Sequence, residues 1–156
     1  MSIIQRERWI SRLGEEGLAL VEQFVRDTQA GIRRPKALLL YGPGNDGKTV
    51  LIDEIRAHLG EDQCAYVANQ LMSAALRPVL PKLVVLVDGD DGLKEGVFNE
   101  VMSDGQVAVR PLYSARSYVN PQWNVIFERN TLDLPEAVLQ RCEIIRFHKP
   151  NAVPSG

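Results

Sequence analysis

The stretch GPGNDGKT, residues 42–49, constrains this chain more than any other. Glycine, four residues, glycine, lysine and threonine form the pattern of a phosphate-binding loop, and the flanks supply the context that the pattern requires. The apolar run KALLLY (36–41) precedes it. TVLIDEIRAHLG follows, with Leu51, Ile52, Ile55 and Leu59 at helical spacing and Gly60 as the stop. Strand, loop and helix are therefore expected in that order. The glycines permit a turn whose backbone N–H groups converge on phosphate oxygens at the positive end of the helix dipole. The expected nucleotide-binding residues are Gly42, Pro43, Gly44, Asn45, Asp46, Gly47, Lys48, Thr49 and Val50. Lys48 would reach the β and γ phosphates, and the Thr49 hydroxyl would hold magnesium. A merely structural glycine turn would not explain lysine and threonine together at this spacing.

The remaining pattern fits an α/β domain around that loop. KLVVLV (82–87) is a β-branched run short enough to be one strand of a parallel sheet, buried on both faces. CAYVA (64–68), WNVIFER (123–129) and EIIRFH (143–148) read as further strands, and helices are expected near 69–80, 93–102 and 135–141. Residues 3–29 read as two short amphipathic helices interrupted by Gly14 and Gly17. QVAVR and the residues to about 120 form a hairpin-like insertion. Alternating strands and helices argue for a largely parallel sheet, with chemistry at the carboxyl ends of the strands.

At those ends stand the other candidates. Asp88, directly after LVVLV, is placed to hold a metal ion, or else caps the next helix. A group that polarises water often comes next, but here that position is Gly89, which leaves Asp90 or Asp91 as the substitute. Asn130, ending NVIFERN, would lie between the phosphate loop and the Asp88 strand and orient water by hydrogen bonds. Arg141, after PEAVLQ, either points at a neighbouring subunit's phosphates or complements a helix C-terminus. VAVRPLYSARSYVNP (107–121) interleaves arginine and tyrosine, a combination suited to phosphate contact and base stacking. Arg110, Tyr113 and Arg116 are its candidate nucleic-acid contacts, with Arg110 alternatively serving a subunit interface.

The bulk properties limit partners without choosing them. The chain has 156 residues and a net charge of −2, so a nucleic-acid contact must come from a local basic cluster. Cys64 and Cys142 read as reduced core thiols, and Trp9 and Trp123 as packing anchors. His58 and His148 have no partner at metal-like spacing. Neither a secretory pattern nor a membrane-spanning run is found, so the expectation is an intracellular, cytoplasmic protein with no membrane partner.

Taken in order, GPGNDGKT, LVVLVDGDD, a basic hairpin, NVIFERN and LPEAVLQRCEIIRF resemble the superfamily 3 helicases, AAA+ ATPases of small DNA viruses, phages and plasmids. The resemblance spans about residues 20–148. It implies an AAA+ P-loop core with a five-stranded parallel sheet in the order 5-1-4-3-2 and an inserted β-hairpin. It also implies ATP and Mg2+ as cofactors, and an oligomeric ring, a hexamer, that hydrolyses ATP at subunit interfaces while moving on single-stranded DNA or RNA. Lys48, Thr49, Asp88 and Asn130 would then serve the nucleotide, and Arg141 the adjacent subunit's nucleotide. Two departures stand out: Gly89 replaces a second acid, and Glu128 with Arg129 replaces the small or hydroxyl residues common before the asparagine. The expected organisation is a helical segment over 1–31 acting as a small oligomerisation collar, an ATPase core over 32–150 and a tail over 151–156. A replication initiator or primase domain would act in the parent polypeptide or in trans. The competing expectation is an ATP-binding assembly module with weak hydrolysis and no unwinding of its own. A small-molecule kinase fits less well, because no arginine-rich lid is found.

Overall fold

The computed structural model describes residues 6–44, 47–68, 81–87, 93–103 and 122–148, and the backbone of 107–109 and 117–119. The described elements are α1 (Arg6–Gln29), β1 (Ala37–Tyr41), α2 (Lys48–Leu59), β2 (Cys64–Val67), β3 (Leu83–Leu86), α3 (Glu95–Val101), β4 (Val107–Val109), β5 (Ser117–Val119), β6 (Asn124–Arg129), α4 (Glu136–Leu139) and β7 (Cys142–Arg146). The helix expected over 69–80 lies outside the described residues.

Five strands form one sheet in the order β2-β3-β6-β1-β7, every neighbouring pair parallel. Counted along the chain without the hairpin, this is the expected order 5-1-4-3-2 read from the other edge. Parallel strands buried on both faces need apolar residues at consecutive positions, and β1 and β3 supply them as ALLLY and LVVL. Successive side chains alternate between two cores. Leu38, Leu40, Leu83, Val85 and Ile126 pack with α1 and α2, whereas Leu39, Val84, Leu86, Val125 and Phe127 pack with α3 and with Val138 of α4. The result is three layers, with helices covering each face of the sheet. β4 and β5 pair antiparallel as a separate two-stranded unit between β3 and β6, in register Val107↔Val119 and Val109↔Ser117.

α1 breaks at Gly14, whose backbone lies at φ 74 and ψ 168, so the two expected helices are present and meet at that glycine. Trp9 and Leu13 before the break and Leu18, Val21, Phe24 and Val25 after it are all buried in the same core as α2. Buried Asn124, at the start of β6, ties the end of this helix to the sheet. Its amide nitrogen donates to Thr28 Oγ1 at 3.0 Å and to the Ile32 carbonyl at 2.9 Å, and its oxygen accepts from the Arg34 N–H at 2.6 Å. The Arg34 guanidinium pairs with Asp27 and Glu143, joining the same segment to β7. No helix among the described residues is long and apolar enough to cross a membrane.

Candidate functional site

The glycine-rich segment begins at the carboxyl end of β1, and α2 starts at Lys48. Gly47 caps α2 in the left-handed region at φ 93, a conformation open to glycine at little cost. Behind it the loop is walled by α1: a Cβ at position 47 would meet the Arg12 guanidinium and, at 3.2 Å, the Trp9 ring. Arg12 stacks over Trp9, and Trp9 Nε1 donates to Glu54 of α2 at 2.6 Å. The chain leaving β7 closes this side, with the His148 N–H donating to the Arg12 carbonyl at 2.8 Å.

Lys48 is buried, and its ammonium donates to the Gly42 carbonyl at 2.9 Å, across the mouth of the loop. The Gly42 N–H in turn donates to the Arg129 carbonyl of β6 at 3.2 Å, which ties the loop to the neighbouring strand. Thr49 is exposed, and its hydroxyl lies 2.9 and 3.0 Å from the two carboxylate oxygens of Glu128, to one of which it donates at a time. Asn130 follows β6 and stands against the loop, its side-chain amide 3.8 Å from where a Cβ on Gly44 would sit. One cleft of about 540 Å³ is lined by Pro43, Gly44, Gly47, Lys48, Thr49, Val50, Glu128 and Asn130. A second, of about 390 Å³, runs over the ends of β2 and β3 and shares Thr49, Glu128 and Asn130 with the first. Both volumes are in the range of small-molecule sites.

Of the expected site residues, Gly42, Pro43, Gly44, Gly47, Lys48, Thr49, Val50 and Asn130 thus gather at the carboxyl end of the sheet. Asn45, Asp46, Asp88, Asp90, Asp91, Arg110, Tyr113 and Arg116 lie outside the described residues. Arg141 is elsewhere. It precedes β7, at the amino end of the sheet, and its guanidinium donates to the Met102 carbonyl at 2.9 Å while stacking over Phe98. It therefore satisfies a carbonyl left open at the end of α3, rather than one on the helix it follows. Trp123 Nε1 does the same for the Val101 carbonyl at 2.9 Å, and both tryptophans are buried packing residues as expected.

Two site residues escaped the sequence reading. Glu128 was visible only as a departure from the resembled pattern, yet alternation along β6 gives it away. It shares the parity of Ile126, which faces α2, so its carboxylate emerges over the first turn of that helix. Arg12 had no local signal, because only the tertiary packing of α1 brings it to the loop. Both cysteines are free thiols. Cys142 is buried, and burial pushes its thiol up to about 12, outweighing Arg141 and Lys36; burial also raises the Cys64 thiol.

No protein-family model and no curated protein matches the chain. Solved structures do match. The C-terminal region of NrS-1, residues 305–718, superposes with a TM-score of 0.61 at 14% identity, covering 92% of this chain and 38% of that one. A ligand-bound JCV helicase superposes with a TM-score of 0.61 at 16% identity, covering 86% of this chain and 42% of that one. The chain thus spans about two fifths of the length of these structures. The chain shares the fold of these structures, an α/β core around a five-stranded parallel sheet in the expected strand order.

Proposed function

We propose that the chain is the ATPase core of a replicative DNA helicase or translocase, hydrolysing ATP between the subunits of a ring and moving on single-stranded DNA. The observation that carries this reading is the convergence of Lys48, Thr49 and Asn130 on one cleft at the carboxyl end of a parallel sheet. The triphosphate would lie along the loop, its negative charge met by backbone N–H groups, the α2 dipole and Lys48, which would exchange the Gly42 carbonyl for a phosphate oxygen. Thr49 and Asp88 would hold magnesium. Hydroxyl and carboxylate oxygens are the hard donors that this ion takes, and it would neutralise charge on the phosphates. Asn130 would orient the attacking water, with Asp90 or Asp91 drawing off its proton.

Arg141 would serve another subunit. Five residues of β7 separate it from the end of the sheet where the loop lies, roughly 16 Å at about 3.3 Å per residue, beyond reach of its own site. Arg110, Tyr113 and Arg116, between the paired strands β4 and β5, would contact nucleic acid.

Steady-state ATP hydrolysis with and without single-stranded DNA tests this reading. DNA should stimulate hydrolysis, and Lys48→Ala should reduce the rate by about 100-fold or more, the scale of losing one pre-aimed charge partner. A Lys48→Ala rate equal to the parent rate would refute the site. Hydrolysis that ignores every nucleic acid, with ATP-dependent rings, would replace the motor by an assembly module.

A further inference from the structure

We infer that Glu128 is a positioning residue for the divalent cation, acting through Thr49, and that it supplies this cleft with a carboxylate where position 89 has none. The inference rests on the nucleotide-hydrolase reading above and deepens it. β6 lies between β1 and β3, and the register Leu40↔Glu128 sets Glu128 beside the last residues of β1 before the loop. Both of its oxygens lie within 3.0 Å of the Thr49 hydroxyl.

A hydroxyl has one proton and two lone pairs. With the proton committed to Glu128, the Thr49 lone pairs face away from the carboxylate, so the same bond that holds the side chain also presents it as an oxygen ligand. Only one carboxylate oxygen can take the proton at a time. The other remains at the wall shared by the two clefts, adding a negative charge next to the cation's own ligand. Groups that orient a metal ligand in this way are typically worth about 10- to 100-fold in metal affinity.

A structural role is the rival account. α2 has no acidic residue in its first turn, and Glu128 could simply offset the positive end of that helix. That role would appear in stability and leave cation dependence unchanged, so the two accounts separate cleanly.

The test is binding of a fluorescent ATP analogue to the full chain, first in EDTA and then titrated with Mg2+, with thermal melts recorded alongside. Glu128→Gln keeps an acceptor for Thr49 and removes the charge; Glu128→Ala removes both. In EDTA both variants should bind the analogue at least as tightly as the parent, because the carboxylate they lack repels the metal-free triphosphate. The Mg2+ concentration at half-response should rise about 10-fold in Glu128→Gln and further in Glu128→Ala. Superimposable Mg2+ curves in variants that bind the analogue normally would overturn the inference while leaving the nucleotide site intact, whatever the melts show. If the parent protein binds no analogue in either condition, the hydrolase reading fails and this inference falls with it, an outcome recognisable before any variant is made.

Discussion

Asn124→Ala should cost the fold about 3 kcal/mol, most of it from groups that stay behind. Asn124 is 2% exposed and makes three hydrogen bonds, to Thr28, Ile32 and the Arg34 N–H. Thr28 keeps its own donation to the Phe24 carbonyl at 2.7 Å, so its loss is small. The Ile32 carbonyl and the Arg34 N–H are left without the amide, at about 1–3 kcal/mol each, or about 2–6 together. The pair lies at the margin of the core, where water can recover part of this, which places the expectation near the lower half of that range. Urea unfolding followed by the fluorescence of the two buried tryptophans should show a lower midpoint with an unchanged slope, the signature of lost stability in an unaltered transition. Asn124→Asp should be no better than alanine, because it turns the donor toward a carbonyl into a second acceptor. A loss below about 1 kcal/mol in Asn124→Ala would refute the reasoning, since it falls under the cost of even one orphaned buried group. The network matters for function because it fastens the end of α1, the helix that brings Trp9 and Arg12 to the phosphate loop.

Gly47→Ala should be destabilised by about 2 kcal/mol, since an L-residue in the left-handed region costs roughly 1–2 kcal/mol before any collision, and the new methyl would also press on Arg12 and Trp9. Adding Arg12→Ala should recover only part of a thermal-melt difference, because the backbone strain and the Trp9 contact remain; full recovery would show that the arginine collision was the whole cost. Cys142 predicts a pH effect of defined sign. Its thiol keeps its proton in the native state up to about 12, against an ordinary value of 9, so the native chain binds more protons in between. Its contribution is complete below about pH 9 and is lost as pH rises toward 12. Stability should therefore fall more steeply over that interval in the parent than in Cys142→Ala, and parallel curves from urea midpoints across pH would contradict this.

The centre of the sheet was legible because β1 and β3 are buried on both faces and cannot tolerate polar interruptions. LVVL and ALLLY stand out for that reason, and the glycine loop anchors the order of elements around them. The break in α1 was legible as well, since a glycine amid helical spacing is a natural place for the chain to leave helical geometry. Arg12 was not. Its relation to Gly47 spans 35 positions and depends on how α1 lies across α2, which no local pattern encodes. Glu128 lies between these cases: the parity of β6 was available, but two polar residues at a strand end read equally well as a frayed edge until α2 is set above them.

Arg141 serves a carbonyl of its own chain here, and on the proposed reading it would serve a neighbouring subunit as well. In the single chain its guanidinium is taken by the Met102 carbonyl and the face of Phe98, so it stabilises the end of α3 and the packing beneath β7. A phosphate of a neighbouring subunit would be a stronger partner than a neutral carbonyl, because a charge-assisted, bidentate pair is worth about twice an ordinary hydrogen bond. The exchange would become favourable only if assembly brought that phosphate to the amino end of the sheet, on the far side of the molecule from the chain's own loop. On the proposed reading, this arginine would leave the Met102 carbonyl only when a neighbour with nucleotide bound arrived, and the packing of α3 against β7 would be the element through which one site sensed the occupancy of the next.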